Sequence, residues 1–108
     1  YNGRIGMVTD AAWLRTSREL VVVGEWMPIS IFKYQDDQVF VSSIDNSSGW
    51  WNTIEAVDLD GDGDQDFLLG NMGLNTNLSA SPEKPIDLYL RDFDGNLAYD
   101  PIMAYYRN

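Results

Sequence analysis

The chain contains neither cysteine nor histidine. Without cysteine there is no disulfide framework, thiolate zinc site or thiol nucleophile. Without histidine there is no Ser-His-Asp triad, imidazole base or imidazole metal ligand. Basic residues are few: 7 Lys and Arg stand against 17 Asp and Glu, for a net charge of -10. Such a surface repels phosphate backbones and anionic headgroups, so nucleic acid and membrane insertion are not expected. No apolar run approaches the roughly 20 residues of a membrane helix, and no signal-peptide pattern opens the sequence. The start at Tyr1 reads as a segment of a longer chain, with any export signal upstream.

What is present has the composition of a folded domain. Of the 108 residues, 44% are hydrophobic, 13% aromatic and 22% charged, which excludes a disordered tail and fits one folding unit. Two apolar runs, Leu20 to Val23 and Phe67 to Leu69, each close on a glycine and are too short and too rich in strand formers for helices. Their lack of polar alternation predicts strands covered on both faces. Ile29 to Tyr34 and Val39 to Val41, separated by Gln35-Asp36-Asp37-Gln38, predict a hairpin with a polar loop. Thr53 to Val57, Asp87 to Leu90 and Met103 to Tyr106 are the other strand candidates, set off by turn-rich stretches at Asp45 to Gly49, Gly70 to Asn77 and Ser79 to Pro85. No segment keeps a helical apolar period, so the expected class is all-β.

The chain also resembles itself. Thr9-Asp10-Ala11-Ala12-Trp13-Leu14, a polar loop and Leu20-Val21-Val22-Val23-Gly24 align with Ile54-Glu55-Ala56-Val57-Asp58-Leu59, an acidic loop and Phe67-Leu68-Leu69-Gly70. The alignment takes one gap and sets the closing glycines 46 residues apart. A period of that size, with about four short strands per unit, predicts two propeller-type blades, approximately residues 5–45 and 50–108, in one module spanning 1–108. Two blades cannot close a ring. Either the chain is a fragment of a larger propeller, or its strand edges are covered by self-association.

The densest chemistry lies in Asp58-Leu59-Asp60-Gly61-Asp62-Gly63-Asp64-Gln65-Asp66, a nine-residue window with a carboxylate at every second position. Alternate residues of a tightly curled loop converge on one point, where a hard cation gathers oxygens at about 2.3–2.6 Å. Gly61 and Gly63 permit the positive φ that the curl demands. By analogy with calcium loops generally, Asp58, Asp60, Asp62 and Asp66 are side-chain ligands and Asp64 binds through its carbonyl. An all-oxygen set favours calcium over magnesium, which keeps several waters, and over zinc, which prefers nitrogen and sulfur. An EF-hand is excluded: Leu69 stands where its bidentate Glu belongs, and a strand stopped by Gly70 follows where a helix should begin. Asp92-Phe93-Asp94-Gly95-Asn96-Leu97-Ala98-Tyr99-Asp100 is a weaker copy, with candidate ligands Asp92, Asp94, Asn96 and Asp100 but Leu97 in the place of the second glycine. The equivalent Arg15 to Glu19 has two cations and one carboxylate and forms no such site.

Asp-x-Asp-Gly-Asp-Gly-x-x-Asp over residues 58–66, followed by Phe67-Leu68-Leu69-Gly70-Asn71, resembles the FG-GAP or VCBS-type repeat of integrin-α-like β-propellers. Val22 to Ile29, Gly49-Trp50-Trp51-Asn52 and Ala80 to Pro85 are similar to segments of bacterial exported VCBS-repeat proteins. The resemblance implies propeller blades in which calcium ties the loop between the first two strands. It implies an extracellular or cell-surface location and a role in structure or adhesion, with a protein or carbohydrate ligand. It carries Asp58, Asp60, Asp62, Asp66 and the Asp64 carbonyl over as ligands.

Two other features remain open. Trp13, Trp26, Trp50 and Trp51 either stack on sugar rings or pack between blades. Glu25, Glu55 and Asp87 are candidates for the carboxylate pair of glycoside hydrolysis, a chemistry that needs neither His nor Cys, but no spacing singles out a pair. The expected role is therefore non-catalytic. The alternatives are a calcium-dependent carbohydrate-binding module or part of a polysaccharide-degrading enzyme. A dockerin-like module would need helices after its loops, which Gly70 and Gly73 oppose.

Overall fold

A computed structural model describes residues 6–73 and 78–107. Residue 5 of the first expected unit and residues 74–77 of the predicted turn-rich stretch lie outside the described residues. The β-branched and aromatic runs form eight strands, all paired antiparallel: β1 (Met7–Leu14), β2 (Glu19–Met27), β3 (Ser30–Gln35), β4 (Gln38–Ser43), β5 (Gly49–Val57), β6 (Asp66–Asn71), β7 (Asp87–Arg91) and β8 (Asp100–Ala104). No helix occurs among the described residues, so the chain is all-β.

The chain divides into two compact units at Gly73. In the first, the sheet order is β4-β3-β2-β5-β6, with β1 also paired to β2. Strands β1 to β4 make a four-stranded meander, and β5 joins it where Trp50 and Gly49 pair with Glu25 and Met27 of β2. In the second unit β7 and β8 form a two-stranded hairpin.

Strand β2 meets its expectation. Val21, Val22, Val23 and Gly24 are buried in succession, so both faces of the strand are covered. Gly24 is required here because a Cβ would meet the Met7 carbonyl oxygen at 2.2 Å. Leu14, Val21, Val23, Ile29 and Ile54 form the core, with Ala12, Trp51, Phe67 and Leu69 packed against it. Each such aliphatic side chain contributes roughly 1.5–3 kcal/mol when fully buried. Strand β6 departs from the same expectation. Leu68 is 59% exposed while Phe67 and Leu69 pack against the core, so only one face of β6 is covered.

Three further differences have local causes. The predicted four-residue loop at 35–38 tightens to Asp36-Asp37, both at positive φ (52° and 58°), while Gln35 and Gln38 pair as strand residues. This is the two-residue turn whose twist suits a hairpin, and aspartate tolerates the conformation. Strand β8 begins at Asp100, ahead of the predicted Met103, because Pro101 is accommodated opposite Leu90 in a hairpin whose strands are both edges. Strand β1 is absent from the sequence-derived strands. Its Asp10-Ala11-Ala12 segment has weak strand propensity, and pairing with β2 supplies what propensity lacks.

Trp26 marks the junction between β2 and β5. It takes φ 61° at a break in register between Glu25 and Met27, and its ring meets Trp50 edge-on at a centroid distance of 5.0 Å. A left-handed conformation costs a non-glycine residue roughly 1–2 kcal/mol, which the aromatic contact and ring burial offset.

Asp10 joins β1 to β5. A bulge between Val8 and Asp10 turns its carboxylate toward β5, where it accepts hydrogen bonds from Ile54 N and Thr53 Oγ1, both at 3.0 Å, and from Ala11 N at 2.9 Å. Thr9 Oγ1 donates to the Trp51 carbonyl at 2.6 Å beside it. The Ile54 amide foremost, then those of Ala11 and the Thr53 hydroxyl, hold the Asp10 carboxyl below the usual carboxylate range. A depressed folded pKa means that the stabilisation is present above the unfolded value near 4 and is lost as pH falls through the folded value. Asp10→Asn therefore lowers the melting temperature at neutral pH, and the gap from the parent narrows as the pH of the melt is taken down through 4 towards 2.

Candidate metal centre

Each acidic stretch is the turn of a hairpin: residues 58–65 join β5 to β6, and 92–99 join β7 to β8. In the first, the peptide amides fold onto the carboxylates. Asp58 Oδ1 accepts from Gly61 N at 2.7 Å and its Oδ2 from Gly63 N at 3.0 Å. Asp60 accepts from Asp62 N, Asp62 from Asp64 N, and Asp66 reaches back to Leu59 N at 3.0 Å. Gly61 and Gly63 take positive φ, as the curl requires.

The second loop repeats this plan residue for residue. Asp92 Oδ1 accepts from Gly95 N at 2.7 Å and its Oδ2 from Leu97 N at 2.9 Å. Asp94 accepts from Asn96 N, Asn96 Oδ1 from Ala98 N, and Asp100 from Phe93 N at 2.9 Å. Leu97 takes φ 69° where the first loop has Gly63. The leucine therefore leaves the geometry of the loop intact and loads it with strain. The Leu97 amide foremost, with those of Gly95 and Asn96, holds the Asp92 carboxyl below its ordinary range against a smaller opposing effect of desolvation.

In each loop three carboxylates converge. One oxygen from each of Asp58, Asp60 and Asp66 lies within 4.8 Å of the others, and the same holds for Asp92, Asp94 and Asp100. At that spacing each pair of charges repels by roughly 1 kcal/mol even at the dielectric constant of water. The donors are all oxygens and still hold free lone pairs, which fits a hard divalent cation. Asp62 and Asp64 stand outside the converging set. Asp62 turns its carboxylate to the Asp64 amide, and Asn96 occupies the corresponding place in the second loop while also donating to Asp94 Oδ2 at 3.1 Å.

The other candidates are scattered. Trp13 on β1 is half exposed, whereas Trp26, Trp50 and Trp51 are half-buried and Trp51 Nε1 donates to the Ser47 carbonyl. Glu25, Glu55 and Asp87 lie on β2, β5 and β7. Asp10, whose carboxylate organises the first unit, gave no signal in the sequence beyond its place in the repeat. No protein-family model, curated protein or solved structure matches the chain.

Leu97 is 96% exposed, so its side chain gives up almost no packing on removal. Leu97→Gly relieves a strained backbone, and even after the added freedom of the unfolded chain it stabilises the second unit by about 0.5–1 kcal/mol in denaturant melts.

Proposed function

We propose that this chain is a calcium-braced repeat module of the FG-GAP/VCBS kind, a structural and binding element of a larger exported or cell-surface protein. Each acidic loop holds one calcium ion, through Asp58, Asp60 and Asp66 in the first and Asp92, Asp94 and Asp100 in the second. The observation that carries the reading is the repetition of one hydrogen-bond plan in two loops of different sequence, each gathering three carboxylates at the same place in a strand–loop–strand unit. Carboxylates brought that close are stabilised by a cation. The meander β1 to β4 has the strand count and connectivity of one propeller blade, and β5 and β6 correspond to the first two strands of the next.

Calcium here is mechanical. It offsets two of the loop's negative charges and holds the two strands in register. Its need is greatest in the second unit, where the paired structure is one hairpin and two strands alone are marginal in water. The module is non-catalytic and serves to present surface to a protein or carbohydrate partner, with exposed strand edges open to self-association.

Calorimetric titration with calcium tests the assignment. The parent chain takes up two ions, and Asp60→Ala and Asp94→Ala take up one each. At 100 times the dissociation constant each ion adds about 2.7 kcal/mol to the unit that binds it. A parent chain that takes up none refutes the proposal.

A further inference from the structure

Beyond the point where Asp10 joins them, β1 and β5 border a cleft of about 520 Å³ in the first unit. Its lining residues larger than alanine are Trp13, Arg15, Thr16, Ile54, Glu55 and Gln65. Alanines at 11, 12 and 56 leave the rest of the walls low. The two hairpins that the sequence aligns present their turns to this one space: Arg15 and Thr16 come from the β1–β2 turn, and Gln65 from the end of the acidic β5–β6 loop.

Two features distinguish the lining. Trp13 is 50% exposed, the most open of the four indoles, and it stands among a guanidinium, a carboxylate and a carboxamide. Among the described residues, none of the side chains of Arg15, Thr16, Glu55 and Gln65 makes a hydrogen bond or ion pair, although Arg15 and Glu55 line the same cleft. The donors and acceptors are therefore free for a ligand.

This combination matches the chemistry of a pyranose ring. One face of such a ring presents C–H groups that pack on an indole, and its rim carries adjacent hydroxyls that pair with planar groups offering two donors or two acceptors. A protein partner would anchor on an apolar pocket, which low alanine walls and an Ile54 only 3% exposed do not provide. The charge selects further. Arg15 is the single cation of the lining and stands against Glu55 within it and Asp64 and Asp66 on either side of Gln65, so the local balance is negative and disfavours an anionic sugar.

We propose that this cleft binds one neutral hexopyranose ring, stacked on Trp13 with its hydroxyls on Arg15, Glu55 and Gln65. Resting on the calcium reading above, we extend it to regulation. Asp66 belongs to the converging carboxylates, so an ion in the loop fixes the neighbouring Gln65 and strengthens the sugar site.

The test is calorimetric titration of the full chain with the methyl glycosides of glucose, galactose and mannose, in calcium and in excess chelator, with methyl glucuronide as the charged comparison. At least one neutral glycoside binds with a dissociation constant of about 1 mM, typical of a small contact, and glucuronide binds at least ~10-fold more weakly. Trp13→Ala weakens that binding at least ~10-fold while Trp13→Phe retains most of it. Gln65→Ala makes the remaining affinity indifferent to chelator. Calcium uptake is unchanged in Trp13→Ala, which confirms that the variant is folded and separates the two sites. If no neutral glycoside binds while calcium titrates normally, the sugar site is refuted and the calcium loop stands. Sugar binding that survives Trp13→Ala also refutes it. Sugar binding in a chain that takes up no calcium overturns the coupling through Gln65.

Discussion

The repulsion among three carboxylates held within 4.8 Å is the constraint around which each hairpin turn is built. The backbone answers part of it. Amides two to five residues ahead point back at the acids, and the last acid of each loop reaches seven residues back to close the ring of hydrogen bonds. These contacts shape the loop, but a neutral amide dipole cannot cancel a full charge. What remains is an electronegative hollow of oxygens at the tip of a hairpin. A cation held there would link both strands through Asp58 and Asp66, or through Asp92 and Asp100, each pair standing at the two ends of its loop.

The same theme, a carboxylate filled by backbone amides, organises the first unit from the other end. Asp10 takes the Ile54 amide and the Thr53 hydroxyl, and so supplies the acceptors by which β1 and β5 are joined. Ile54 is thereby set against Leu14, Val21 and Val23, and β5 shares the core of the meander. The cleft begins where that join ends. Asp10, with Thr9 beside it on the Trp51 carbonyl, thus ties the two hairpins together.

Much of this was legible in the sequence because burial and propensity agreed. The valines of β2 form a strand that is covered on both faces, and Asp58, Asp60 and Asp66 bring their carboxylates together in one turn. What was not legible depended on partners distant in the chain. Asp10-Ala11-Ala12 carries little local preference for a strand and becomes one by pairing with β2. The apolar run of β6 gave no hint that Leu68 would be exposed, since exposure depends on which face of the strand the rest of the unit covers. Leu97 argued against a second curled loop, yet the hydrogen bonds to Asp92 outweigh the strain of its left-handed backbone. Among the carboxylates of the first loop, the spacing alone did not separate Asp58, Asp60 and Asp66, which converge, from Asp62, whose side chain takes the Asp64 amide.

On the proposed calcium reading, the stability of each unit depends on the cation its acidic loop holds. The most direct test is a far-ultraviolet circular dichroism melt, run in millimolar calcium and again in excess chelator. The account predicts a strand-type spectrum in both and a melting temperature about 10 °C lower after chelation. Identical melting in calcium and in chelator would contradict it and leave the two acidic loops as solvated turns.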